Sequence, residues 1–195
     1  GDLDLYVASG SNEFDALSKE YQDRIYINNG RGQFKLGQNI LPEMLTSTGS
    51  VSAKDFDNDG DIDLFIGGGL DPKKYPLPGT SYILRNEGGK FSNVTTDIAQ
   101  NLQKIGMVTD SEWADFDSDG DIDLVLVGEF MPITVFLQEN GRFTDATATL
   151  KLSSHTGWWN TMFLEDLNGD GKLDIIAGNL GENTKYDVSA DEPLS

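Results

Sequence analysis

Three copies of one nine-residue acidic pattern limit what this chain can fold into: residues 55–63 (DFDNDGDID), 115–123 (DFDSDGDID) and 166–174 (DLNGDGKLD). Each sets oxygen-bearing side chains at positions 1, 3, 5 and 9 and glycine at position 6. Hard divalent cations such as calcium take six to eight oxygens in flexible geometry, and a short turn with alternate residues pointing inward supplies them. Glycine at position 6 lets the chain enter left-handed backbone angles at little cost.

The third copy shows which positions matter. Asn168 fills position 3, where an amide oxygen still coordinates, and Lys172 fills position 7, where a cation would spoil a side-chain ligand. Position 7 is therefore expected to contribute its backbone carbonyl, with the side chains of Asp61 and Asp121 turned outward. The expected ligand sets are Asp55, Asp57, Asp59 and Asp63 with main-chain oxygen from Asp61; Asp115, Asp117, Asp119 and Asp123 with Asp121; and Asp166, Asn168, Asp170 and Asp174 with Lys172. About three Ca²⁺ ions are expected, one per loop.

Position 12, an acid in helix-flanked calcium loops, holds Ile66, Leu126 and Ala177 here, and position 9 opens the β-rich runs IDLFIGGG, IDLVLVG and LDIIAG. These read as buried strands, so each loop joins strand to strand. SVSAKDFD, SEWADFD and NTMFLEDLN lead into the loops. A second repeated element follows: RIYINNGRGQF (residues 24–34), YILRNEGGKF (82–91) and TVFLQENGRF (134–143) each read as a hairpin. Phe34, Phe91 and Phe143 are expected to pack in the core.

Aligned on the loop glycines, Gly60 and Gly120 are 60 residues apart and Gly120 and Gly171 are 51 apart. GDLDLYVASG at the start matches GDIDLFIGGG, so Asp2 and Asp4 are remnants of a fourth loop. One repeat is strand, acidic loop, strand, linker, hairpin, the arithmetic of a β-propeller blade. The expectation is an all-β chain of four-stranded antiparallel blades, about three in number, as one partial propeller over residues 1–195. The repeats fall at 1–48, 49–107, 108–152 and 153–195. Short helical candidates, residues 12–20 and 96–102, sit in linkers.

With its D-x-D-x-D-G-x-x-D loops each followed by an apolar strand, the chain resembles the FG-GAP/VCBS repeat family, whose blades are similar to those of the integrin α-subunit propeller. Its last stretch, WWNTMFLEDLNGDGKLDIIAGNLGENTKY, also resembles bacterial surface VCBS proteins related to the ASPIC/UnbV group. The resemblance implies calcium between the first and second strands of a blade. It also implies an extracellular, cell-surface, periplasmic or outer-membrane setting, and adhesion, scaffolding or binding of a protein or glycan ligand. Family members close rings of about seven blades, so the chain is expected to be a fragment of a longer propeller, or copies associate through unclosed blades.

Net charge is −19, against nucleic-acid or anionic-membrane binding, which reward basic patches. The loops hold five, five and three of the 33 acidic residues, so much of this charge is ligand chemistry. No cysteine is present, and apolar runs fall far short of the roughly 20 residues that span a bilayer.

No catalytic constellation stands out, so the chain is expected to be non-enzymatic; the alternative is the propeller part of a polysaccharide lyase or hydrolase. His155 is the only histidine, and beside Ser153 and Ser154 it lacks a nucleophile elbow. Trp158 and Trp159 point to opposite faces of a strand. They are read as blade packing, with an aromatic platform near Asn160, Asn179, Asn183 and Tyr186 as the alternative. Gly67 to Gly69 read as a flexible strand exit rather than a phosphate cradle. Asn93-Val94-Thr95 formally fits a glycosylation acceptor. Lys73 and Lys74, with Pro72, Pro76 and Pro78, mark an irregular excursion suited to partner contact.

Overall fold

The computed structural model describes residues 2–180. A first blade holds β1 (Leu5–Val7), β2 (Arg24–Asn28) and β3 (Phe34–Leu36). A second holds β4 (Thr48–Lys54), β5 (Asp63–Gly68), β6 (Tyr82–Asn86) and β7 (Phe91–Asn93). A third holds β8 (Met107–Ala114), β9 (Asp123–Pro132), β10 (Thr134–Glu139) and β11 (Arg142–Asp145), and β12 (Thr156–Glu165) and β13 (Asp174–Asn179) begin a fourth. Every strand pairing is antiparallel. The chain is thus an all-β, open series of propeller blades.

The cores lie between blades, which explains why the second strands are apolar at nearly every position instead of alternating. In β9, Leu124 and Leu126 join Phe56, Phe65, Ile83, Trp113 and Phe136 in the core against the second blade. Val125 and Val127 point the other way, into a core with Met162 and Leu164 of the fourth. In β5, Leu64 and Ile66 meet Met44, with Tyr6 of the first blade packed alongside. β5 and β9 are therefore buried on both faces, whereas β1 and β13 carry exposed residues such as Leu5 and Ile176.

The three innermost strands, β4, β8 and β12, carry an irregularity at the same place, between Thr48 and Ser50, Val108 and Asp110, and Trp159 and Thr161, and β12 has another against β9 between Gly157 and Trp158. A bulge bends its strand and re-aims the extra residue, here toward the next blade. Thr109 Oγ1 donates to the Trp159 carbonyl at 2.8 Å. At Gly49, a Cβ would stand 2.2 Å from the Val108 carbonyl oxygen. Gly49→Ala is expected to cost about 2 kcal/mol or more, since backbone on the facing strand has little room to yield; urea denaturation measures it, and a loss below about 0.5 kcal/mol would show that the blades do not meet this closely.

Further along, polar side chains tie the inner strands together. Ser111 Oγ lies 2.9 Å from both Ser50 Oγ and Ser52 Oγ, and Asp110 Oδ2 accepts from Thr161 Oγ1 and the Met162 N–H. Between the first two blades, buried Asp23 accepts from Tyr6 Oη, Thr48 Oγ1 and the Ser9 N–H. Burial raises the Asp23 pKa even against these bonds.

Several expectations need correction. The third and fourth blades are not separate sheets: the far end of β9 pairs with the start of β12, giving one six-stranded sheet. The cause is length, as β9 runs ten residues where β5 runs six. Gly67 and Gly68 form no flexible exit but lie inside β5, where a Cβ would stand 2.8 Å from Val108 Cγ1 or 2.7 Å from the backbone at Gly79 and Thr80. Phe143 and Phe91 pack against interblade cores, whereas Phe34 is 48% exposed on the first blade, whose outer face meets no further blade among the described residues. Residues 12–20 form no α-helix. Leu17 takes φ 63°, and Ser18 caps a 3₁₀ turn at Lys19–Tyr21. The second candidate shrinks to a single turn, Thr95–Ile98.

The proline-rich excursion is clasped, not loose. The Lys73 amide meets Asn12 Oδ1 and its ammonium meets Asp15, while Tyr75 Oη donates to Glu129 Oε2 at 3.2 Å. It links the first and third blades. No helix among the described residues is long and apolar enough to cross a membrane.

Candidate metal centres

Each acidic loop is a turn organised by its own carboxylates. In the first, Asp55 accepts the N–H groups of Asp59 and Gly60 at 3.1 and 3.0 Å; Asp115 does the same for Asp119 and Gly120, and Asp166 for Asp170 and Gly171. Gly60, Gly120 and Gly171 have φ of 95°, 99° and 84°, the left-handed angles that position 6 requires.

Position 9 closes the loop. Asp63 and Asp123 are fully buried, and each accepts two backbone N–H groups: Phe56 and Asn86 at 3.2 and 2.8 Å for Asp63, Phe116 and Gln138 at 2.8 and 2.7 Å for Asp123. Asp174 likewise accepts from Leu167. The second donor of each buried pair comes from the third strand of the blade, so the loop is clamped onto the hairpin. Sequence reasoning missed Asn86 and Gln138; their shared place just before the hairpin turn was the available signal. In the first blade, Asp4 Oδ1 accepts the Asn28 N–H at 2.8 Å and the Leu3 carbonyl accepts from Asn28 Nδ2. That arrangement matches Asp63 and Ile62 with Asn86.

Two groups of carboxylates converge, Asp55 with Asp57 and Asp63, and Asp115 with Asp117 and Asp123, their oxygens all within 4.8 Å of one another. These are positions 1, 3 and 9 of two loops. The third loop has no such carboxylate trio because Asn168 stands at position 3. Asp59, Asp119 and Asp170 lie outside the trios and accept the N–H two residues on. The Asp61 carboxylate is turned away to the hairpin, where it accepts the Gly88 N–H at 2.7 Å.

Burial, then the facing acids Asp57 and Asp59, pushes the Asp63 carboxyl up to about 6 against the two N–H bonds it accepts. Burial likewise raises Asp123, while Asp117, exposed at the loop, is raised by slight desolvation and then by the facing acids Asp119 and Asp115. Asp166 is exposed and goes the other way, held below the usual carboxylate range by the Gly171 N–H and its neighbours. Buried carboxylates facing each other disfavour their charged forms, a penalty that a bound cation reverses.

The residues fit a hard cation. The converging donors are all oxygens, the set that suits calcium, magnesium or manganese rather than zinc. Asp57 Oδ1 is buried with no hydrogen-bond partner, a costly condition that a coordinating ion relieves. A metal ion would be held by the two trios.

Among the described residues, the other candidates lie apart from the acidic loops. His155 is exposed, with its carbonyl accepting from Trp159 Nε1, and Ser153 and Ser154 are exposed beside it. Trp159 packs into the interblade core, whereas Trp158 meets the Phe130 ring at a tilt of 47° with centroids 5.4 Å apart, and Phe130 in turn meets Tyr75 at 6.0 Å. Asn160 is exposed and Asn179 pairs with Trp159; Asn183 and Tyr186 lie outside the described residues. Asn93 Oδ1 accepts from the Thr95 hydroxyl and N–H, a local turn.

Four-stranded blades with an oxygen-rich loop between their first and second strands define a propeller-type module whose acidic turns could hold a cation. Residues 1–66 and 115–177 match the FG-GAP-like repeat, and the chain belongs to the FG-GAP-like repeat family. No curated protein sequence matches it.

Proposed function

We propose that the chain is a calcium-binding propeller segment of a secreted or cell-surface protein, acting without catalysis as a binding or scaffold module. The observation that carries this reading is the pair of carboxylate trios, one of them holding the unpartnered Asp57 Oδ1. Calcium suits a short loop whose ligands are mixed side-chain and main-chain oxygens, while magnesium keeps its waters and demands a stricter octahedron. The third loop, with Asn168, takes a third ion.

The surface offered to a protein or glycan ligand is a cup of about 350 Å³ between the inner strands, lined by Ser11, Asn12, Thr48, Thr109 and Glu129. It has the mixed polar character of a recognition surface, and Tyr75, bonded to Glu129, begins the run of aromatic rings to Phe130 and Trp158.

Calorimetric titration of chelator-treated protein with Ca²⁺ tests the metal assignment. With a dissociation constant near ~0.1 mM, each site adds about 1.4 kcal/mol at about 1 mM Ca²⁺, so the melting temperature is expected to rise by several degrees. No heat and no shift at millimolar Ca²⁺ would overturn it. Incubated with polysaccharide panels, the protein is expected to be retained without cleaving them; turnover would overturn the non-catalytic reading.

A further inference from the structure

Besides exposed Lys54 before the first loop, where Ala114 stands before the second, the two trios differ in a neighbour brought in across the blade. Arg85, in β6, places Nε 2.8 Å from Asp57 Oδ2, and its guanidinium carbon lies 5.7 Å from the centre of the Phe56 ring. Arg85 is one residue before Asn86, the clamp on Asp63; the equivalent residue before Gln138 in the third blade is Leu137, which packs in an interblade core. The second-blade site therefore has a fixed positive charge beside its position-3 ligand, and the third-blade site has an apolar side chain.

We infer that Arg85 is a resident counter-charge that holds the second-blade loop together without metal and weakens its affinity for Ca²⁺, so that the two carboxylate trios fill at different calcium concentrations. The inference rests on the proposed calcium binding. Arg85 Nε meets Asp57 Oδ2 as a charge contact and without the alignment of a hydrogen bond; the other oxygen, Oδ1, is buried without a hydrogen-bond partner, so it is left free to coordinate. Phe56 is fully buried, and its ring fixes the guanidinium from the other side by cation–π attraction. A clamped cation is not simply displaced by an incoming ion. It offsets repulsion among Asp55, Asp57 and Asp63 in the metal-free loop and repels a divalent ion in the filled one. Asp117, with Leu137 in place of the arginine, has no ion pair among the described residues, so its loop depends on the ion more strongly.

Arg85 is a positioning and affinity-setting residue, not a ligand. The test is Ca²⁺ calorimetry in a background where Asp117→Asn and Asp166→Asn weaken the other two loops, since asparagine keeps an acceptor oxygen but removes the charge. Arg85→Gln is expected to tighten binding about tenfold, the scale of one fixed charge about 6 Å from a divalent ion at a water-like dielectric constant of ~80, and to lower the melting temperature in chelator. Arg85→Lys, which keeps the charge, is expected to stay within about threefold of the parent. Unchanged or weaker binding in Arg85→Gln would overturn the inference while leaving calcium binding in place. No binding by the wild-type protein would instead sink the calcium reading itself. Should Arg85→Gln fold only with Ca²⁺, the stabilising role is supported; failure to fold even with Ca²⁺ would show Arg85 to be a packing residue and overturn it.

Discussion

Asp123→Ala is expected to destabilise the protein by about 3–4 kcal/mol in the presence of chelator, before any metal is considered. The carboxylate is fully buried and accepts the N–H groups of Phe116 and Gln138. Its removal leaves one buried and one partly buried donor unsatisfied, each costing about 1–3 kcal/mol. Because Gln138 belongs to β10, its loss also frees the loop from the hairpin. Asp123→Asn, retaining one acceptor oxygen, is expected to lose about half as much in chelator yet gain much less from added Ca²⁺. Guanidinium denaturation of both variants, with and without Ca²⁺, measures these differences. A chelated Asp123→Ala protein within about 0.5 kcal/mol of wild type would mean that position 9 serves the ion alone.

The chelated protein is also expected to become less stable as pH rises from about 4 to about 6. The Asp63 carboxyl is raised from its ordinary value of 3.8 to about 6 in the fold. Below the lower value both states are protonated and the folded state carries no penalty; between the two the unfolded chain ionises first, and stability falls until the folded pKa is passed. Asp123 and Asp117, raised for the same reason, act in the same direction. Asp166, lowered by backbone N–H groups, opposes them, contributing stability that is lost as pH falls through its folded value. Calcium competes with protons for the trio, so in saturating Ca²⁺ stability is expected to rise over the same window. Melting curves at half-unit intervals from pH 4 to 7, with Asp63→Asn as control, test this. An Asp63→Asn protein whose chelated pH profile keeps the wild-type slope would assign the effect to other groups.

Much of the blade and loop pattern was legible because it repeats and its chemistry is local. Asp55, Asp57 and Asp63 lie within nine residues, a turn short enough that spacing alone brings positions 1, 3 and 9 together. Apolar runs such as IDLVLVG announced strands buried on both faces, and the hairpins fell where asparagine and glycine marked them. What escaped was set by partners distant in the chain. Arg85 looks like any half-exposed strand cation until the fold lays it on Asp57. Gly67 and Gly68 look mobile until Val108 and Thr80 are seen against them. Phe34 matches Phe143 in the repeat but is exposed, because burial depends on a neighbouring blade and not on the residue.

By itself, the order of residues determined the all-β repeat, the loop ligand candidates and the turn glycines, since these depend on backbone angles and on charges a few residues apart. Only the tertiary structure decided that blades three and four share a sheet, that the second-strand residues divide between two cores, and that the two carboxylate trios sit in unlike electrostatic surroundings. Those outcomes depend on which surfaces meet across tens of residues, where packing distance and desolvation act and local spacing carries no information.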